Sequence, residues 1–128
     1  MGEITANVNW LAVIIGAVVA FLVGWLWYSE KLFGTRWSEG VGVELGSADQ
    51  MPMGAMGAQA LGLFLMSWFV GVTAANNALL TVILATVAFS VMHWAGGAFA
   101  RKSVYSRNVE AGYWLAALAV MIIAQGVF

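Results

Sequence analysis

His93 is the one ionisable side chain set well inside an apolar stretch of this chain. An imidazole there can relay a proton, hold a hydrogen bond or ligate a metal, and such a residue at membrane depth defaults to a functional reading. Arg101 follows slightly more than two helical turns later, so it shares a face with His93 and lies roughly 12 Å further along the helix. Glu30 and Glu110 sit at the ends of neighbouring apolar stretches. If those stretches pack together, His93, Arg101, Glu110 and Glu30 form a candidate polar cluster at one mouth of a helical bundle. The competing reading is structural: a neutral histidine hydrogen-bonded between helices, and a Glu110 favoured by the helix dipole in a first turn. Arg101, Lys102 and Arg107 are candidate contacts for anionic lipid headgroups, a common role for juxtamembrane basic residues.

Other chemistry is disfavoured. The chain has no cysteine, so disulfides, thiolate metal sites and cysteine nucleophiles are excluded. A closed zinc site wants four ligands from His, Cys or carboxylate, and a single histidine does not supply them. Haem or chlorophyll ligation by His93 would favour a small residue one turn earlier, where Phe89 stands. No cofactor and no metal site is expected. Hydrolase triads, phosphate-binding glycine loops and metalloprotease helices have no counterpart, so enzymatic activity is not expected. A net charge of −1 with five basic residues leaves no cationic face for nucleic acid.

The elements that carry these residues follow from hydropathy. Of the 128 residues, 62% are apolar and only 9% charged, against about 25% charged in ordinary soluble domains. So small a soluble fold has too much surface to cover with so few polar side chains. Trp10 to Tyr28 carries no charge and makes roughly 28 Å of helix, close to the hydrocarbon thickness. Gln50 to Met92 has no ionisable side chain and as one helix would overshoot the bilayer about twofold. Asn76-Asn77 is the polar pair suited to a turn within it. Four spans are therefore predicted, at 10–28, 53–74, 78–100 and 111–128, in an all-α transmembrane four-helix bundle forming a single domain. The amino terminus carries Glu3 and no basic residue, unlike a secretory signal, so the first span is expected to remain.

Lys31 and Arg36 lie between the first two spans, and Arg101, Lys102 and Arg107 between the last two. The positive-inside tendency puts both longer links in the cytoplasm and both termini outside. The loop over 29–49 opens with aromatic and charged residues from Trp27 to Trp37, suited to the headgroup layer. It continues through Gly40, Gly42 and Gly46 as an expected flexible segment. Small residues recur each turn as Ala12, Gly16, Ala20 and Gly24 in the first span and as Gly54, Ala58 and Gly62 in the second. The fourth has Gly112, Ala116 and Ala124. In lipid such stripes let helix backbones approach closely, within one bundle or between copies.

Asn9-Trp10-Leu11-Ala12, Gly24 with Trp27-Tyr28, Phe33-Gly34 and Trp37, then Ala111-Gly112-Tyr113 before an apolar run, together resemble the bacterial family called domain of unknown function 1761. The resemblance spans essentially the whole chain and implies a four-span inner-membrane protein. It implies no activity. Ser29-Glu30-Lys31 stands where members often carry a proline.

Three functions are expected in descending order: a homo-oligomer passing small solutes or ions, an accessory or scaffolding subunit of a larger membrane complex, and a lipid-organising protein. With no native cysteine to interfere, Asn77→Cys should react with a membrane-impermeant maleimide added outside intact cells. Labelling only after the cytoplasmic face is exposed would reverse every assignment of side.

Overall fold

The computed structural model of the protein describes residues 2–29, 31–41 and 53–128. Among these residues six helices form: α1 (Gly2–Thr5), α2 (Trp10–Trp27), α3 (Gly34–Val41), α4 (Met53–Ala75), α5 (Leu79–Phe99) and α6 (Val104–Val127). Four of them, α2, α4, α5 and α6, are long and apolar enough to cross a membrane. Glu30, Gly42, Glu44, Gly46 and Asp49 of the first loop lie outside the described residues.

Local chemistry sets the helix ends. Asn9 begins α2, its side-chain oxygen accepting from the Ala12 N–H at 3.1 Å, which satisfies one of the free donors of the first turn. Asn77 adopts φ 54° between α4 and α5, a left-handed conformation that asparagine tolerates better than most residues. Arg101 takes φ 61° after α5, and the Lys102 N–H closes back onto the Gly97 carbonyl at 2.9 Å. Glycine usually fills this position of a helix C-cap. Ser103 then caps α6, its hydroxyl accepting from the Ser106 N–H at 3.1 Å. The fourth long helix thus starts at Val104 rather than at Ala111, because a serine cap two turns upstream opens it.

The long helices alternate in direction. Trp10 stacks against Trp68 at 5.4 Å, and the Trp68 indole donates to the Ile4 carbonyl at 2.6 Å. The start of α2, the α4–α5 turn and the end of α6 therefore share one end of the bundle. All five Lys and Arg lie towards the other. α6 is the central helix. It packs against α2 and α5 most extensively, touches α4, and is crossed near its start by α3. Its inward face recurs at Ser106, Val109, Glu110, Tyr113, Ala117, Met121 and Ala124, the three-and-four spacing of one helix face. Leu63, Val70, Val82, Tyr113 and Met121 are buried to 1% exposure or less and fill the axis of the bundle. Outward-facing Leu80, Leu84, Val91 and Phe99 are strongly exposed, the inverse of a water-soluble surface and suited to hydrocarbon.

The two small-residue stripes have different fates. On α2, Ala12, Gly16 and Ala20 are buried. A Cβ on Gly16 would sit 2.9 Å from Ser67 Oγ and 3.4 Å from the Met121 Cα, and one on Gly24 would sit 2.8 Å from the Tyr113 hydroxyl. That close approach lets the Ser67 hydroxyl donate to the Val13 carbonyl at 2.7 Å and the Tyr113 hydroxyl to the Ala20 carbonyl at 2.7 Å. On α4, Gly54, Ala58 and Gly62 are exposed, and a Cβ on Gly54 or Gly62 meets nothing within 4 Å. Gly16→Leu should therefore destabilise the bundle by about 1–3 kcal/mol, the usual cost of overpacking. Gly62→Leu should leave it unchanged or slightly more stable. Thermal unfolding of both variants in the same mild detergent checks the contrast.

Candidate functional site

Two turns inside α6, the carboxylate of Glu110 is 6% exposed. Burying such a charge is tolerable only when donors meet it, and three elements supply them. Lys102 Nζ, from the α5–α6 link, donates to both oxygens at 2.9 and 3.0 Å. The Trp37 indole N–H, from α3, donates to Oε2 at 3.1 Å. His93 Nε2, from α5, lies 3.3 Å from Oε1.

Each donor is placed by its own support. The left-handed turn at Arg101 brings Lys102 back over the bundle end. Gly97 leaves room for the stems there, since a Cβ on it would sit 2.8 Å from Arg107 Cγ and 3.6 Å from Lys102 Cδ. Trp37 is held edge-on by Tyr28 at 4.8 Å. The α3 backbone is pinned where the Trp37 carbonyl accepts from the Ser106 hydroxyl at 2.8 Å and the Gly40 carbonyl from the Ser103 N–H at 3.1 Å. His93 lies against Trp114, with ring centroids 6.3 Å apart. Trp27 closes the collar by donating to the Val109 carbonyl at 2.9 Å.

An ammonium bridging both oxygens marks Glu110 as the ionised partner. Its carboxylate then accepts from His93, which places the imidazole hydrogen on Nε2 and leaves Nδ1 as an acceptor in the neutral ring. Tyr28, just past the last residue of α2, has its hydroxyl pushed well above the usual range, first by burial and then by the Glu110 charge. It is a neutral wall of the site.

Beside the cluster, Phe89, Met92, His93, Gly96, Gly97 and Lys102 line a groove of about 400 Å³, open on one side. It falls within the roughly 300–1,000 Å³ usual for small-ligand sites. His93 and Lys102 keep 35% and 29% side-chain exposure, so both join the buried carboxylate to the groove.

The family described as Protein of unknown function (DUF1761) matches residues 11–126, a stretch holding all four long helices almost in full. The chain belongs to this family. No curated protein and no solved structure matches it. Membership assigns no chemistry to Glu110 or its partners.

Of the four residues that sequence grouped, the structure joins His93 and Glu110. Arg101 is exposed at the left-handed turn, and the side chains that meet Glu110 are Lys102, Trp37 and His93 instead. Glu30 lies outside the described residues. Glu110 stands in the interior of α6 rather than in its first turn, so the dipole account of it fails and direct donors replace it. Lys102, grouped with the headgroup contacts, is committed to Glu110. Arg107 stacks on Trp94 at 4.5 Å while its Nε donates to the Lys102 carbonyl at 3.0 Å.

The sequence places Trp37 in the headgroup layer, whereas the structure seats its indole on Glu110. The available signal was periodic: Gly34, Trp37 and Ser38 fall on one face of α3 and Thr35, Arg36 and Glu39 on the other. Glu110→Gln should strip Lys102 of its counter-charge and lower stability by about 2 kcal/mol, less than a fully buried pair costs because two partners are partly exposed. Adding Lys102→Met should recover most of that loss. Chemical denaturation of the single and double variants in detergent measures the coupling.

Proposed function

We propose that this chain is a non-enzymatic, multi-pass protein of the bacterial inner membrane that works by engaging anionic lipid at its Glu110 end. Both termini are then outside, and the α2–α4 and α5–α6 links are cytoplasmic. The positive-inside tendency supports that orientation, since Lys31, Arg36, Arg101, Lys102 and Arg107 all belong to those two links and the start of α6. The observation carrying the lipid role is Arg101. It occupies a left-handed position that glycine would fill without strain, and it is exposed beside the other basic residues of this end.

Arg36 reinforces it by lying 4.2 Å above the Tyr105 ring, as Arg107 lies above Trp94. Stacking on a ring face leaves guanidinium edges available to phosphate. Aromatic rings paired with basic groups suit the headgroup layer.

Passage of solutes or ions finds less support, because the axis of the single bundle is filled by Leu63, Val70, Val82, Tyr113 and Met121. A route between copies would need self-association. One feature favours such association: the first half of α4 exposes Gly54, Gly57 and Gly62 with open space at each, a surface on which another helix could pack closely.

Native mass spectrometry from nanodiscs containing phosphatidylglycerol tests both ideas at once. Wild type should retain anionic lipid, and the triple variant Arg36→Gln, Arg101→Gln, Arg107→Gln should retain several-fold less. Equal retention would overturn the lipid role. A single-chain mass would remove self-association, and a foreign chain in the particle would favour an accessory subunit instead.

A further inference from the structure

We infer that the α5 groove is a discrete site for one anionic phospholipid whose headgroup also carries a hydroxyl. This deepens the lipid role proposed above and rests on it, but it concerns the groove along α5, which meets the basic rim at Arg107.

The chemistry of the groove is unlike the rest of the lipid-facing wall. Along α5 the outward residues are apolar, yet at this point an imidazole and an ammonium reach the surface together. Lys102 has three N–H donors. Its two contacts to Glu110 leave a cation whose charge is shared, and 29% of the side chain stays accessible. That end of the groove offers a remaining charged N–H donor to a phosphate oxygen. His93 offers the complementary group: with Nε2 donating to Glu110, the free ring nitrogen is an acceptor and pairs with a hydroxyl donor.

A ligand satisfying both therefore presents a phosphate and a hydroxyl a few ångströms apart. Phe89, Met92 and Gly96 extend the groove in apolar surface towards the middle of the membrane, which accommodates an acyl chain and disfavours a free polar anion. Gly96 makes the floor shallow. A Cβ there meets nothing within 4 Å, so this glycine is not required by packing inside the chain. A mid-helix glycine otherwise weakens a helix relative to alanine. The open space it maintains is the groove itself.

Gly96→Leu is the decisive variant, because it fills the groove without touching the bundle and should raise helix stability. Titration of phosphatidylglycerol into the purified protein, followed by native mass spectrometry, should show one tightly retained lipid on wild type. Gly96→Leu should weaken that single binding event about tenfold or more, and His93→Leu should do likewise. His93→Gln should restore most of it, since its amide donates to Glu110 and its carbonyl still accepts.

Phosphatidylcholine should bind at least several-fold more weakly. Soluble glycerol phosphate should not compete. Undiminished binding to Gly96→Leu, while the rim variant still loses lipid, would overturn the groove site and leave the broader lipid role standing. Loss of all retained lipid from wild type would remove both. Equal affinity for phosphatidylcholine would overturn the anionic headgroup, and competition by glycerol phosphate would overturn the lipid in favour of a free phosphate ester.

Discussion

A carboxylate closed off from water two turns inside a helix has to find its donors within the protein, and the polar end of this bundle is built around that requirement at Glu110. Water cannot compensate a charge at that depth, and the electrostatic penalty grows as the surroundings become less polarisable. Lys102, His93 and Trp37 meet it from three separate elements. Each contact therefore also ties its element to α6. The short helix α3 is held over the bundle end by the indole and by the Ser103 and Ser106 bonds, and the α5–α6 link is held by an ammonium bridging both oxygens. The strained turn at Arg101 and the glycine at position 97 become intelligible as the geometry that delivers Lys102 to its partner.

Away from that end the bundle follows the rules of helix packing in lipid. With no hydrophobic drive between helices in hydrocarbon, close backbone contact and buried hydrogen bonds hold them. α2 approaches α4 and α6 through Gly16 and Gly24, and the Ser67 and Tyr113 hydroxyls bond carbonyls on α2. The opposite wall of α4 has equally small residues and, among the described residues, nothing within 4 Å of a Cβ at Gly54, Gly57 or Gly62. One stripe is spent on folding, whereas the other is free to face lipid or another helix.

The ionisable groups pair with one another, which holds the shape of this end and fixes where their remaining donors and acceptors lie. His93 is intermediate: it meets the carboxylate through Nε2 and also lines an open, mostly apolar groove. On the proposed lipid reading, rim and groove lie at the level where headgroups meet acyl chains.

Sequence alone determined the architecture, because uncharged runs of membrane length leave few alternatives to spanning helices. The Asn76-Asn77 break was equally legible, since it is the polar interruption in a run too long for one crossing. The small residues of α2 and α4 were visible too, but not their different fates: spacing shows that a face is smooth and not whether a neighbour covers it. The site divided in the same way. His93 stood out by its depth, and Glu110 by its position beside basic residues. Lys102 looked like its neighbours Arg101 and Arg107 until the fold set it on Glu110, left Arg101 exposed and packed Arg107 against Trp94. Trp37 resembled any interfacial tryptophan until α3 folded back over α6. Partnership across more than seventy residues, such as Trp37 with Glu110, depends on how elements pack in three dimensions, and only the tertiary structure decides that.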